Sequence, residues 1–429
     1  MSLQDVKNKT DVITNVSYSV QTKARATPKV IVRKSVSFPV DNTTKNIMIT
    51  GGTGLLGSHI LYEILENNLD NLQEIKIINL IHAGSEDKFN EIFKKELLYT
   101  KTADSDLEKV RSAIVNVSFD VGEPYCGINE SVLKKMKDLK ITDLYHVAAL
   151  TDFRNSDAVK QRLEKINIEG TKNLLDLCTV LAVKSIHYVS TSYACGVAEG
   201  VISPDFNNKS SAFHNNYEKT KIITEGLVKD FCEAKGINYM IYRISGISGR
   251  LLYEPIGYTK KYAIFYAWLN YFYKIRKRAG ITPDQTLFLR MRLHIDKTTG
   301  INICPVDYGA KLIHEVSTNK KFSNKKQVHV VCNNNYNHRE MAKQMFDFLN
   351  IKGYTFVDDK PEADTLNDLE RFYYKFIGEI FHGYMNEGEM VFDTKNLQSD
   401  FSDVLKLCPV MDSNNYHKLI DYAVKNDFS

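Results

Sequence analysis

A short apolar run that leads into three evenly spaced glycines constrains this chain more than any other feature. The run Ile47–Thr50 precedes Gly51, Gly54 and Gly57, and an apolar helical pattern follows. This order predicts a buried strand, a tight turn and a helix. Glycines let the backbone bend sharply and approach a pyrophosphate closely, and the N-terminus of the helix directs free N–H groups at the phosphates. A P-loop is disfavoured, because Ser58 stands where that motif needs lysine.

Strand-like and helix-like patterns alternate from residue 46 onward, which predicts a parallel sheet with helices on both faces. The predicted strands are 47–50, 75–81, 114–119, 144–147, 185–190 and 239–242, and the predicted helices between them are 55–68, 86–112, 156–181 and 217–235. The carboxyl ends of such strands share one edge of the sheet, where ligands bind.

The alternation stops after residue 250. A dense aromatic helix is predicted over 262–273, and further helices over 338–349, 366–381 and 416–425. We therefore expect an α/β protein: a Rossmann-type doubly wound parallel sheet over 46–250, with a smaller, mainly helical C-terminal substrate lobe over 251–429. Within that lobe, 305–335 should return to the Rossmann core, and 1–45 should be a loosely structured leader.

Composition excludes several classes of function. The 429 residues carry a net charge of +4 and no long basic run, which argues against binding to nucleic acid. The seven cysteines are scattered and form no C-x-x-C pair, so neither a metal site nor a disulfide framework is expected. No apolar run is long enough to span a membrane, and the N-terminus lacks the apolar core of a signal peptide. These features predict a cytoplasmic protein.

Tyr217 and Lys221 lie four residues apart on a predicted helix and therefore on one face of it. Carbonyl reduction needs a proton donor such as a phenol, and lowering a tyrosine pKa from ~10 to ~7 requires roughly 4 kcal/mol. A neighbouring ammonium group can supply much of this and can also hold a cofactor ribose. Thr191 ends the fifth predicted strand and should face the same cleft. Strand alternation should turn its rivals Ser190 and Ser192 away.

These motifs together resemble the extended short-chain dehydrogenase/reductase superfamily. The resemblance is carried, in order over about 46–310, by Thr50–Gly57, His146–Ala149, Asn167–Thr171, Val189–Thr191, Tyr217-x-x-x-Lys221, Tyr242–Gly246 with Gly249, and Pro305–Tyr308. It implies a Rossmann fold, a nicotinamide cofactor and a catalytic triad. In that triad Thr191 would orient the substrate oxygen, Tyr217 would be the acid/base, and Lys221 would tune it. Asn167 matches an asparagine that some members use in a proton relay, although it could equally serve helix packing.

Within the superfamily, the chain is most similar to the thioester reductase and fatty acyl-CoA reductase branch, the male-sterility type. The similarity rests on His146–Phe153, Val189–Thr191 and Ile303–Tyr308. It implies reduction of an acyl thioester, bound to coenzyme A or a carrier protein, to an aldehyde or an alcohol. The sequence shows no adenylation or carrier segment, so we expect a free-standing monomer or homodimer that acts on a partner's substrate.

The resemblance also assigns the cofactor contacts. They are Gly51, Thr53, Gly54, Leu55, Leu56, Gly57, His82, Asp120, Val121, Ala148, Ala149, Asn167, Val189, Tyr217, Lys221 and Ile244. Asp120 and Val121 should lie by the adenine, and Ala148 and Ala149 under the nicotinamide ribose. NADP(H) is favoured over NAD(H), because the second strand ends without the acid that binds ribose hydroxyls. His82 stands there instead and can pair with a 2′-phosphate when it is protonated.

Two other functions fit parts of the pattern. A sugar-nucleotide epimerase or dehydratase shares the glycines and the triad, but it usually has Tyr-Gly where this chain has Cys195-Gly196. A dehydratase would also place an acid where Ser192 stands. A non-catalytic dinucleotide-binding sensor or scaffold would not need the Tyr217–Lys221 pair, and its role should survive replacement of Tyr217 by Phe.

Overall fold

The computed structural model describes residues 45–97, 109–205, 212–319 and 326–429. The predicted leader lies outside the described residues except for Lys45. The same is true of 98–108, which belong to the helix predicted over 86–112.

The strands are short and mostly buried. In chain order they are β1 Lys45–Thr50, β2 Ile75–His82, β3 Ile114–Phe119, β4 Asp143–His146, β5 Ser185–Thr191, β6 Gly200–Ile202, β7 Asn238–Ile244, β8 Gly246–Ser248, β9 Leu287–His294, β10 Gly300–Ile301, β11 Ile303–Pro305, β12 Gln327–Val330, β13 Tyr336–Asn337, β14 Ile351–Val357 and β15 Met390–Phe392.

The helices lie between these strands. They are α1 Leu55–Glu66, α2 Glu86–Leu97, α3 Glu130–Asp138, α4 Asp157–Leu163, α5 Gly170–Leu181, α6 Asn216–Lys235, α7 Phe265–Arg278, α8 Val306–Thr318, α9 His338–Phe348, α10 Asp368–Tyr373, α11 Glu379–Asn386, α12 Lys395–Lys406 and α13 Ser413–Lys425. A π-helical turn, Glu164–Glu169, joins α4 to α5, and a second one, Tyr374–Gly378, joins α10 to α11.

The main sheet has seven parallel strands in the order β12-β7-β5-β4-β1-β2-β3. The chain starts at β1, moves outward to β3, and then returns to β4 on the other side of β1. This reversal opens a crevice at the carboxyl ends of β1 and β4, where the next loops diverge. The predicted Rossmann-type doubly wound sheet, followed by a mainly helical C-terminal part, is confirmed.

A second apolar core lies in the C-terminal part. Helix α7 contributes Phe265, Trp268 and Phe272 to it, and α9 and α13 pack on the same cluster. The parallel pair β9 and β14 adds Leu289, Met291 and Leu293 from β9. The aromatic segment thus packs as core.

Several boundaries differ from the sequence prediction. Helix α7 begins at Phe265 and not at residue 262, because Ile264 has a φ of 57° and breaks the helical path. It continues to Arg278, beyond the predicted end at residue 273. Strand β12 was not predicted as a strand, although it forms one edge of the main sheet. In the described ranges, no helix is long and apolar enough to cross a membrane.

Candidate active site

A cavity of about 730 Å³ opens at the crevice between β1 and β4 and extends into the C-terminal part. Its wall includes every predicted catalytic and cofactor-binding residue except Asn167. The glycine turn, the end of β2, the triad and side chains of the C-terminal part all line this one cavity. The fold therefore brings together residues that are more than 190 positions apart, from Gly51 to Ile244.

The glycines of the turn lie so close to neighbouring backbone atoms that a side chain at Gly51 or Gly57 would collide with them. Gly51 has a φ of 77°, and a Cβ on it would lie 2.8 Å from the amide nitrogen of Ala148. A Cβ on Gly57 would lie 2.1 Å from the carbonyl oxygen of Gly51. Helix α1 can therefore start directly against the turn, with the Gly54 N–H donating to Gly51 O at 2.8 Å. This cradle at a helix N-terminus fits the pyrophosphate of a dinucleotide.

The residues predicted to bind the adenosine part of the cofactor lie at and just after the ends of β2 and β3. His82 ends β2 with its imidazole exposed and stacked on Phe119, with ring centroids 5.3 Å apart. The Asp120 carboxylate accepts a hydrogen bond from Gly122 N at 2.8 Å, which shapes the loop after β3. The neighbouring Val121 carbonyl is held by Asn173 Nδ2 at 2.7 Å.

Lys221 lines the cavity and is otherwise buried. Its Nζ donates to Val189 O at 2.7 Å and lies 4.2 Å from the ring centroid of Tyr188. Burial lowers the pKa of Lys221 to about 7, against an opposing contribution from the Glu225 carboxylate. The ammonium group is thus poised to lose its proton near neutral pH.

Burial dominates the protonation of Tyr217. It raises the pKa of Tyr217 to about 12, partly offset by a hydrogen bond with the Thr151 hydroxyl, and the Glu218 carboxylate raises it further. The tuning of Tyr217 by Lys221, whose ammonium is held on Val189 O, stays a prediction. Tyr217 is accordingly a protonated phenol at neutral pH, which is the form that can donate a proton.

Two adjacent hydroxyl groups line the cavity at the end of β5. Thr191 Oγ1 accepts a hydrogen bond from Tyr193 N at 3.3 Å. Ser190 also lines the cavity, contrary to the prediction from strand alternation. Its buried Oγ has no hydrogen-bond partner among the described residues. Ser192 does not line the cavity. The structure thus offers Ser190 as a second candidate for binding the substrate oxygen.

The loop after β4 is fixed by a chain of buried hydrogen bonds. Thr50 Oγ1 accepts from Ala148 N at 3.2 Å and bonds His146 Nδ1 at 2.9 Å. Burial, together with the Lys221 charge, lowers the pKa of His146 to about 3, so its imidazole is neutral. His146 Nε2 then reaches Thr171 Oγ1 at 3.0 Å. These bonds hold Ala148 and Ala149 at the crevice.

Asn167 is placed behind this loop and not on the cavity wall. Its Oδ1 accepts from Leu150 N at 2.8 Å, and its Nδ2 donates to Leu150 O at 3.0 Å and to Thr220 Oγ1 at 3.1 Å. Asn167 is not among the residues that line the cavity, so its direct contact with the cofactor stays a prediction. Because its carboxamide is fully used as a clamp between α6 and the loop, the packing interpretation is the one that the structure favours.

The C-terminal part contributes a largely apolar section of the cavity wall, and outside the aromatic segment 262–273 this section was not located from the sequence. Its wall includes Phe265, Trp268, Met341, Phe381, Tyr384, Met385, Met390 and Phe392. The last five belong to α11 and β15, where no sequence motif pointed to chemistry. Glu218 also lines the cavity, and its position next to Tyr217 was the one available signal. Across the described ranges, no group of three or more His, Cys, Asp or Glu side chains is arranged to hold a metal ion.

Residues 49–313 match the family described as male sterility protein, an NAD-binding family. The match covers more than half of the chain. The chain belongs to the male sterility family. The predicted similarity to this branch of the extended short-chain dehydrogenase/reductases is therefore confirmed, and so is a domain that binds NAD or NADP.

Known relatives of this male sterility family member include larger proteins. A linear gramicidin synthase protein of Brevibacillus parabrevis is 21% identical over 388 residues, which are 88% of this chain but 7% of that protein. A putative fatty acyl-CoA reductase of Drosophila melanogaster is 28% identical over 210 residues, or 48% of this chain and 36% of that protein. The chain thus spans less than half the length of these two relatives.

The fold is shared with a solved R domain. The terminal R domain from the myxalamid PKS-NRPS biosynthetic pathway superposes with a TM-score of 0.66 at 22% identity, covering 91% of this chain and 93% of that chain. The likeness therefore extends through the C-terminal part and is not limited to the Rossmann sheet.

Proposed function

We propose that this protein is an NAD(P)H-dependent reductase of an acyl thioester, which it converts to an aldehyde or an alcohol. One observation carries the proposal: Thr191, Tyr217 and Lys221 line the same cavity as the glycine turn and an apolar chamber. The apolar chamber is the section of the cavity lined by α7, α9, α11 and β15. The chamber has aromatic and methionine side chains, which suit an acyl chain better than the many hydroxyl groups of a sugar. Residues 251–429 would then act as the substrate lobe.

Each residue of the site has one role in the proposed reduction of the thioester. The nicotinamide, when bound, supplies a hydride to the thioester carbonyl carbon. Tyr217, a protonated phenol, donates its proton to the carbonyl oxygen, which Thr191 or Ser190 holds by a hydrogen bond. The product of this step is a hemithioacetal, whose C–S bond then breaks to release a thiol and an aldehyde. Lys221 would hold the cofactor ribose next to Tyr217.

The preferred cofactor is NADPH under this proposal. His82 is the exposed group at the end of β2, and no carboxylate occupies its place to repel a 2′-phosphate. NADPH should bind more tightly than NADH. His82→Arg should strengthen the preference, whereas His82→Leu should abolish it. Equal affinities of the unmodified protein for both cofactors would refute the assignment.

The acyl carrier is either coenzyme A or the pantetheine arm of a carrier protein. The similarity to the gramicidin synthase and to the myxalamid R domain favours a carrier-bound thioester, whereas the similarity to the Drosophila relative favours coenzyme A. Cytoplasmic location and a monomeric or homodimeric state remain predictions.

The test follows NADPH absorbance with a panel of long and short acyl thioesters on both carriers. Oxidation should require both the thioester and Tyr217, so Tyr217→Phe should lower kcat by about a hundredfold or more. Tyr239→Phe is the matched control, because the Tyr239 hydroxyl bonds Glu233 away from the cavity. Tight NADPH binding without oxidation of any thioester would contradict the proposal and favour a sugar-nucleotide epimerase or dehydratase.

A further inference from the structure

The carboxylate of Glu218 is completely buried and lies directly after the proposed acid in the chain. Its side chain is 0% exposed. Oε2 accepts from the backbone N–H of His214 at 3.0 Å and bonds His214 Nδ1 at 3.1 Å. Oε1 accepts from the hydroxyl of Tyr384. Burial of a carboxylate is tolerated where donors surround it in this way.

These contacts join the first turn of α6 to the C-terminal part. Tyr384 lies on α11, and its hydroxyl also accepts a hydrogen bond from Asn215 Nδ2 at 2.7 Å. Asn215 is the N-cap of α6, because its side chain accepts from Glu218 N at 3.0 Å. One tyrosine of the C-terminal part thus binds both polar side chains that define the start of the helix carrying Tyr217.

The packing around this junction leaves little freedom. The rings of His214 and Tyr384 stack with centroids 4.3 Å apart. A Cβ on Gly383 would lie 2.7 Å from His214 Cδ2, so α11 approaches His214 closely. On its other side, His214 Nε2 lies 3.5 Å from the half-exposed carboxylate of Glu387. The hydrogen bonds of this junction are therefore fixed by close packing around His214.

We propose that Glu218, held by Tyr384 and His214, is a positioning residue that sets the orientation and the protonation of Tyr217. The network makes the orientation and protonation of Tyr217 depend on α11, and the same helix lines the apolar chamber. This inference deepens the proposed function and rests on it for the role of Tyr217. The network and the electrostatic effect on Tyr217 can nevertheless be measured without any substrate.

The electrostatic argument compares the charged groups that face Tyr217. Glu218 raises the pKa of Tyr217, and its negative charge has no full counter-charge because two of its three donors are a hydroxyl and a backbone amide. The ammonium of Lys221 is held on Val189 O. The Arg154 guanidinium on the loop after β4 is paired with Asp152, and from the same loop Tyr217 meets the Thr151 hydroxyl and the Phe153 ring. Removing the Glu218 charge should therefore make the Tyr217 phenol more acidic.

The experiment labels the full-length protein with a ring-fluorinated tyrosine, whose phenol ionises at lower pH, and follows its ionisation by ¹⁹F NMR. Tyr217→Phe assigns the Tyr217 signal. Glu218→Gln should lower the pH at which this signal titrates by about one pH unit. Glu233→Gln, an exposed change near the end of the same helix, should leave it unmoved.

Tyr384→Phe supplies the opposite perturbation with the ring stack retained. The carboxylate loses a donor, so its charge acts more strongly and the Tyr217 signal should titrate at higher pH. In the thioester assay this variant should lower kcat about tenfold while the KM for NADPH stays within a factor of two. It also keeps the inference testable if Glu218→Gln does not fold.

A Tyr217 signal that titrates at the same pH in Glu218→Gln and Tyr384→Phe as in the unmodified protein would overturn the inference. Opposite shifts in a protein that reduces no thioester would support the positioning network and refute the proposed reaction. A structural role alone would lower stability in both variants without shifts of opposite sign.

Discussion

The buried ammonium of Lys221 should lower the free energy of unfolding, compared with the same protein without a charge at this position. The pKa of Lys221 falls from 10.5 to about 7 on burial. At pH 7 an unfolded chain holds this proton almost completely, whereas the folded protein holds it about half of the time. Each pKa unit corresponds to about 1.4 kcal/mol, so burial of this lysine costs about 4 kcal/mol of folding free energy at pH 7.

Replacement of Lys221 by Met keeps the length and removes the charge. The side chain also loses its hydrogen bond to Val189 O, which is worth about 1 to 2 kcal/mol when the carbonyl is left unpaired. We therefore expect Lys221→Met to unfold with a free energy about 3 kcal/mol higher than the unmodified protein at pH 7. The same change should abolish thioester reduction.

The pH dependence gives this prediction its sign. Between pH 7 and 10.5 the unfolded chain binds more protons at this site than the folded protein, so raising pH stabilises the unmodified protein relative to Lys221→Met. The difference between the two should shrink to near zero by about pH 9.5. Urea denaturation at pH 7.0, 8.5 and 9.5 measures it, with Lys219→Met as an exposed control on the same helix. A difference that does not change with pH, or a less stable Met variant at pH 7, would refute the reasoning.

Three further predictions concern the cavity wall and the residues behind it. Gly57→Ala should weaken NADPH binding at least about tenfold, because its Cβ would meet Gly51 O, whereas Gly226→Ala, with open space around it, should stabilise α6 by about 0.5 to 1 kcal/mol; calorimetric titration and thermal denaturation measure the two. Thr191→Val should lower kcat by about 10- to 100-fold and Ser190→Ala by less than about threefold, and the reverse order would assign the substrate oxygen to Ser190. Asn167→Ala should lower the free energy of unfolding by about 2 to 3 kcal/mol, since it leaves both polar groups of Leu150 unpaired; a loss below about 0.5 kcal/mol in urea titrations would contradict the clamp.

The sequence predicted the structure well where a repeated apolar pattern or an unavoidable glycine determines the local backbone. Strands such as β1 and β2 are continuous apolar runs, because both of their faces are covered, and they were predicted within a residue or two. The glycine spacing follows from a backbone approach that no other residue permits. The male sterility family and the Rossmann-type fold could therefore be inferred before any coordinates.

Features that depend on tertiary contacts could not be predicted. Strand β12 has four residues, too few to show a period, and it is a strand because β7 offers it an edge. Asn167 lies in a π-helical turn whose position no local pattern announces. The raised pKa of Tyr217 depends on burial, which sequence spacing does not measure. The wall formed by α11 and β15 is assembled by contacts between distant parts of the chain.

The parallel pairing of β15 with β6 joins Met390–Phe392 to Gly200–Ile202. Contacts between segments so far apart in the chain form late, because a long loop must close before they can form. During synthesis on the ribosome, the cradle at Gly51–Gly57 can be complete while the chamber still lacks Met390 and Phe392. A nascent chain would thus complete the turn at Gly51–Gly57 before it completes the section of cavity wall formed by Met390 and Phe392.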